Sequence, residues 1–375
     1  MRRLLALLLV LAIPGTALAL PQKVIIDSDF NTMDDDGQAL AMAAQLDADG
    51  TLSLLGVTVV SGNQWLQQEV SDALRAVERL GLADRVGVYA GANHPLGRDA
   101  EWVWREREED PSGDGYLGAW SVPEPRSGAD LKAPPDGFAI QATPREESAV
   151  EFIVRQVKTN PGEVTLLAIG PLTNIALATR RHPEIIPMIG RLVIMGGAVD
   201  VPGNTTGRAE FNWWFDPEAA KAVMRLPVPK VLVPLDVTNT VQMTKTVYDR
   251  IAHPAGGPTL LSRLYRDAIG WGFDGRNGFE TDPRYHRSIW DTLALAYLID
   301  PSLAIRTEEE WIDVGTAFGP DDGRAIGYRA DPPPGLEKAI IVRQFDNERF
   351  FGLYTDLLTR PIPVPPAAND APPMK

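Results

Sequence analysis

The chain has 375 residues, 44% of them hydrophobic, which is enough for one large α/β domain or two ordinary ones and excludes a small disulfide-held scaffold. It has no cysteine, so a thiol nucleophile, a zinc–thiolate centre and a disulfide framework are excluded; its four histidines, His94, His182, His253 and His286, form no HExxH pattern. The formal net charge of −14 disfavours binding to nucleic-acid phosphates and favours solubility.

The N-terminus reads as a targeting segment. Arg2 and Arg3 make a basic start, Leu4 to Ile13 is an apolar run too short to span a bilayer comfortably, and Ala17-Leu18-Ala19 fits a small-x-small cleavage site. Residues 1–19 are therefore expected to be a cleaved signal peptide, giving a secreted or periplasmic protein with no membrane segment after cleavage. Residues 23–26 (KVII) then predict a short buried strand, 37–49 an Ala- and Leu-rich helix, 51–60 a strand, 64–81 a helix stopped at Gly81, and 86–89 another strand. Residues 93–146 break the rhythm with proline, glycine and charge and read as an irregular insertion holding Trp102, Trp104 and Trp120. Alternation resumes with a helix near 147–159, a strand at 164–169, a helix near 172–180, a strand at 191–195, a helix near 216–225 and a strand at 230–235. Residues 240–280 look helical and loop-like, 290–299 read as a helix, and the chain from Pro361 as a proline-rich tail. Strands alternating with helices predict an α/β fold, a mostly parallel central sheet flanked by helices in one Rossmann-like domain over 20–360.

The sharpest local signal is the run Asp27-Ser28-Asp29-Phe30-Asn31-Thr32-Met33-Asp34-Asp35-Asp36, five carboxylates in ten residues between a buried strand and a helix. Such charges repel one another unless a cation neutralises them, and hard oxygens suit calcium or magnesium. The carboxyl end of a strand in an open sheet is also where ligands bind. Three other readings stand beside this one. An EF-hand loop needs glycine and glutamate where Thr32 and Gln38 sit. A phosphatase-type nucleophile would use the Asp-x-Asp after the first strand, and the charges could also simply be solvated.

The stretch DSDFNTMDDDGQALAMA resembles the N-terminal signature of the inosine–uridine preferring nucleoside hydrolases: an Asp-x-Asp, a spacer, then an Asp-Asp pair opening a helix. VTVVSGNQ, LLAIGPLTNIALA, RLVIMGGAVDVPGNTTGRAEFNWWFDPEAA, VPLDVTNTV and WDTLALAYLIDP resemble further segments of that family in its own order, across roughly residues 23–302. The resemblance implies cleavage of the bond between ribose and base, with Ca2+ held by Asp29, Asp36, Asp291 and the carbonyl of Ile169. It implies Asp29 as the base that takes a proton from water, and Asp35, Asn63, Asn204, Glu210, Asn212 and Asp291 as grips on the ribose hydroxyls. Asp216, before Pro217, reads as a helix cap outside the site. Many members carry a histidine before the late aspartate; here Trp290 stands there, and it cannot transfer a proton but can stack on a base. The expectation is therefore a purine-preferring nucleosidase, with Trp102, Trp104, Trp120 or Trp271 as candidates for the opposite stacking face. Two alternatives remain open at this point: hydrolysis of another ribosyl compound, and a non-catalytic, calcium-dependent riboside-binding protein. The expected partner is a small nucleoside, and the resemblance implies a homo-oligomer.

Overall fold

A computed structural model describes residues 21–109, 115–134, 136–272 and 276–363, so the expected signal peptide and most of the tail lie outside the described residues. The buried β-branched run at the start forms β1 (Gln22–Ser28), followed by α1 (Asp35–Ala48), β2 (Leu52–Val59), α2 (Leu66–Arg79) and β3 (Gly87–Ala90). α1 is buried almost all round, and its alanines let neighbouring helices approach closely. α2 is capped by Leu80, and Gly81 follows at φ +67, the left-handed position where glycine has no steric cost.

The 93–146 stretch, expected to be irregular, contains α3 (Ala100–Glu109). That helix was hidden by its charge. Only Val103 and Glu106 face inward, and Glu106 accepts a hydrogen bond from the buried Trp214 indole at 2.9 Å. The chain continues through α4 (Ala149–Thr159), β4 (Val164–Ala168), α5 (Thr173–Arg181), β5 (Arg191–Met195), α6 (Phe211–Phe215), α7 (Pro217–Met224), β6 (Lys230–Val233), α8 (Leu235–Thr238), β7 (Gln242–Thr244), α9 (Lys245–Ala252) and α10 (Leu260–Ile269). Asp216 caps α7 as expected, accepting from Ala219 N at 3.0 Å, and it also receives Thr173 Oγ1 at 2.6 Å and Leu96 N at 3.0 Å.

The last elements are β8 (His286–Ser288), α11 (Asp291–Ile299), β9 (Ala304–Val314), β10 (Ala325–Tyr328), β11 (Lys338–Phe345) and α12 (Asn347–Thr359). Among the described residues, nine strands form one sheet in the order β10-β9-β11-β6-β5-β4-β1-β2-β3. The run from β11 to β3 is parallel, whereas β9 pairs antiparallel with β11 and β10, and β7 and β8 form a separate small hairpin. The strand order reverses at β1, which lies between β2 and β4. The chain therefore opens a crevice at the carboxyl ends of β1 and β4, the place where open α/β sheets bind ligands. No described helix is long and apolar enough to cross a membrane.

Candidate active site

β1 delivers Asp29 to that crevice, and the loop after β2 holds it there. Asn63 donates its backbone N–H to Asp29 Oδ2 at 3.0 Å; its side-chain amide donates to Asp29 O at 2.8 Å and reaches Asp36 Oδ2 at 3.3 Å. Ser28 Oγ donates to Asp36 Oδ1 at 2.6 Å. Gly62 lies flat against Asp29, and a Cβ there would sit 2.6 Å from Asp29 Cβ. Gly62→Ala must therefore displace either the loop or Asp29. We expect kcat to fall by about tenfold or more while the circular dichroism spectrum is kept; wild-type kcat would refute this reading of the contact.

Asp35 and Asp36 open α1, and Asp291 opens α11. One oxygen from each of these three carboxylates lies within 4.8 Å of the others. Asp29, Asp36 and Asp291 are 2%, 1% and 4% exposed. Two helix N-termini point at the cluster, and their partial positive charge favours carboxylates, but not enough to neutralise four of them. Burial, then the charges of Asp35, Asp36 and Asp29, pushes the Asp291 carboxyl well above the usual carboxylate range. Burial followed by a neighbouring carboxylate does the same for Asp29 and Asp36, while Asp35 is pushed up to about 7. The nearby cation, Arg287, is 2.7 Å from Asp34. A buried set of hard oxygens that destabilise one another as anions fits a divalent cation of the calcium type, so the residues pass the chemical test for the expected ion. The tightest triad is Asp35, Asp36 and Asp291, with Asp29 tied to it through Asn63. The family resemblance implies instead Asp35 on the sugar and Asp29 on the ion.

The opposite wall comes from the segment after β5. Glu210 caps α6 and is fully engaged, accepting from Asn212 N at 2.8 Å, Gly197 N at 2.9 Å and Trp213 N at 3.2 Å; burial raises its carboxyl to about 7. Asn204 Oδ1 accepts from Phe211 N at 2.9 Å. Asn212 Nδ2 donates to the carbonyl of Ile169 at 3.1 Å, which leaves that oxygen a second lone pair. These groups, with Asp29, Asp35, Asn63, Asp291 and Trp290, line one cavity of about 230 Å³. The structure thus brings every expected substrate-binding residue into one space, with Ile169 beside them. Asp36 does not line the cavity and lies behind it, bonded to Ser28 and Asn63.

The cavity also takes residues that were not anticipated: Asn31, Asp34, Tyr116, Met195, Phe211 and Arg287. None of Trp102, Trp104, Trp120 and Trp271 lines it. Trp102 Nε1 donates to Asp322 at 3.1 Å, Trp120 packs edge-on to Trp65, and Trp104 and Trp271 are half exposed. The insertion supplies Tyr116 instead, whose ring centroid is 4.9 Å from that of Phe211. Thr205 Oγ1 donates to Tyr116 O, and Ala119 N donates to Gly62 O at 2.8 Å, so the insertion docks onto both walls of the cavity.

Residues 24–352 match the profile of the inosine-uridine preferring nucleoside hydrolases. The chain is 35% identical over 338 residues to the pyrimidine-specific ribonucleoside hydrolase RihB of Escherichia coli, covering 88% of this chain and 95% of that one. It is similar to a solved purine-preferring ribonucleoside hydrolase from Gardnerella vaginalis, with a TM-score of 0.67 and 27% identity over 90% of this chain and 98% of that one. A solved plant nucleoside hydrolase, PpNRh1, shares the fold at a TM-score of 0.69 and 24% identity, covering 91% of this chain and 100% of that one.

Proposed function

The chain belongs to the inosine-uridine preferring nucleoside hydrolase family, whose members hydrolyse N-glycosidic bonds, and from that premise we propose a calcium-dependent ribonucleoside hydrolase that prefers purine nucleosides. The observation that carries the reading is the cavity itself, which is lined both by carboxylates and amides and by the rings of Trp290, Tyr116 and Phe211. A ribose presents vicinal hydroxyls that both donate and accept, which matches Asn63, Asn204, Asn212 and Asp35; a base presents a flat π-face, which matches the three rings. Asp29, Asp36, Asp291 and the Ile169 carbonyl would hold the cation, with Asp35 close enough to share it. When bound, such an ion supplies an acidified water and a positive centre for the sugar diol.

Asp29 is the residue that would take a proton from the attacking water. Its Oδ2 already accepts the Asn63 N–H, which fixes the carboxylate plane and leaves lone pairs for the water. The transition state is oxocarbenium-like, so positive charge grows at the sugar ring among buried carboxylates that stabilise it. Glu210 and Asn204 are held by backbone amides, so these grips are rigid before substrate arrives. Trp290 would lie against the base. Trp290→Ala should raise KM for inosine about tenfold to a hundredfold, in line with a lost stacking contact of about 1–3 kcal/mol, with a smaller change in kcat. An unchanged KM would remove Trp290 from the base subsite.

One observation favours a pyrimidine reading instead: the Escherichia coli relative at 35% identity is named pyrimidine-specific. Comparing kcat/KM for inosine, adenosine and guanosine with that for uridine and cytidine decides between the two. A higher value for uridine or cytidine overturns the purine preference and leaves the hydrolase standing. Export to the periplasm or the medium is proposed on residues 1–19; a mature N-terminus at Leu20, read by peptide sequencing, checks it.

A further inference from the structure

We infer that Gln38 and Tyr354 are positioning residues for the acidic loop, linked in a hydrogen-bond chain that runs from α12 through α1 to the carbonyl of Met33 and sets the affinity of the carboxylates for a divalent cation. This rests on the calcium reading of the cavity proposed above.

The loop between Asp29 and Asp35 does not hold its shape by propensity. Thr32 is β-branched and sits at φ +45, in the left-handed region that such residues rarely enter, so its surroundings must over-determine it. One restraint is steric: Gly37 passes so close to the Thr32 carbonyl that a Cβ would overlap it. A second is the ion pair of Asp34 with Arg287. The third is Gln38, which is 1% exposed and donates Nε2–H to Met33 O at 3.1 Å.

Gln38 is itself held from behind. Its Oε1 accepts from the Tyr354 hydroxyl, and the Tyr354 oxygen lies 3.2 Å from the Tyr265 hydroxyl. A donor on Oε1 orients the amide, so that its NH2 end must face Met33. Tyr354 is fully buried on α12 among Phe350, Leu357 and Leu358, on a helix that packs against α1. The C-terminal helix therefore bears on the loop that carries Asp34 and leads into Asp35 and Asp36, although it supplies nothing to the cavity lining. Carboxylates that repel one another spread apart when their loop is released, and a spread cluster binds a cation more weakly.

The test is calorimetric titration of CaCl2 into chelator-stripped full-length protein. Gln38→Met keeps the side-chain volume and removes both hydrogen bonds; it should weaken calcium binding about fivefold, the scale of one or two lost bonds. Tyr354→Phe keeps the ring and should weaken binding by about threefold, and it serves if Q38M is too unstable to titrate. The double variant should bind no more weakly than Q38M, because both act along one chain. Val157→Ala, a fully buried residue of α4 in a part of the core remote from that chain, lowers stability and should leave affinity unchanged. Wild-type affinity in Q38M and Y354F, or effects that multiply in the double variant, would overturn the inference alone. A wild-type protein that binds no calcium would overturn the metal reading, and this inference with it.

Discussion

Asp29→Asn should leave a folded protein whose kcat for nucleoside hydrolysis is about 10³-fold lower, the scale of a lost general base. The substitution is isosteric, and the Asn oxygen can still accept the Asn63 N–H that now reaches Asp29 Oδ2 at 3.0 Å, so the loop contact survives. What disappears is the proposed proton acceptor. The same change removes one negative charge from a cluster in which burial, and after it the charges of Asp36 and Asp35, push the Asp29 carboxyl well above its ordinary range. The chelated D29N protein should therefore melt at or above the temperature of chelated wild type, while calcium raises its Tm less than it raises that of wild type. A merely structural aspartate would give the opposite pattern, a lower Tm in chelator. Stopped-time ribose assays and paired thermal melts with and without calcium distinguish the two, and wild-type kcat in D29N would remove Asp29 from the chemistry.

Much of this site was legible in the sequence because its parts are local. Each motif places its residue at the end of a strand or the start of a helix: Asp29 after β1, Asn63 after β2, Ile169 after β4, Asp291 at the head of α11. The parallel strands were equally plain, being short apolar runs buried on both faces. The aromatic lining of the cavity was not legible. Tyr116 lies in a stretch without periodicity, and nothing nearby marks it over Trp102, Trp104 or Trp120, which pack elsewhere. The C-terminal strands went unread for a different reason. β9 carries Glu308, Glu309 and Glu310 in a row, a pattern that looks solvated. In the fold, the buried Arg343 of β11 lies 3.1 Å from Glu308 and 2.6 Å from Glu310, and it also pairs with Asp236. Charges satisfied across strands leave no apolar alternation to detect. The Gln38–Tyr354 contact, 316 residues apart, has no local signal at all.

Removing calcium should abolish activity and loosen the fold together. With the ion stripped, Asp29, Asp35, Asp36 and Asp291 face one another with no cation among them, and readdition of calcium at about 100 times its dissociation constant should restore roughly 2.7 kcal/mol of stability, several degrees in Tm. The chelated protein should also carry a pH dependence of definite sign. Asp35 and Glu210 are both held up to about 7 by burial, above their ordinary values. The folded chain therefore binds protons that the unfolded chain has released above about pH 4–5, and stability falls as pH rises from there to about 7. Chelated protein should melt at a higher temperature near pH 5 than near pH 7.5. Calcium, by favouring the ionised carboxylates, should flatten or reverse that slope. Thermal melts at the two pH values, each with excess chelator or excess calcium, provide the four numbers needed. Identical slopes with and without calcium would mean that the ion does not sit among these carboxylates, whatever the enzyme's activity.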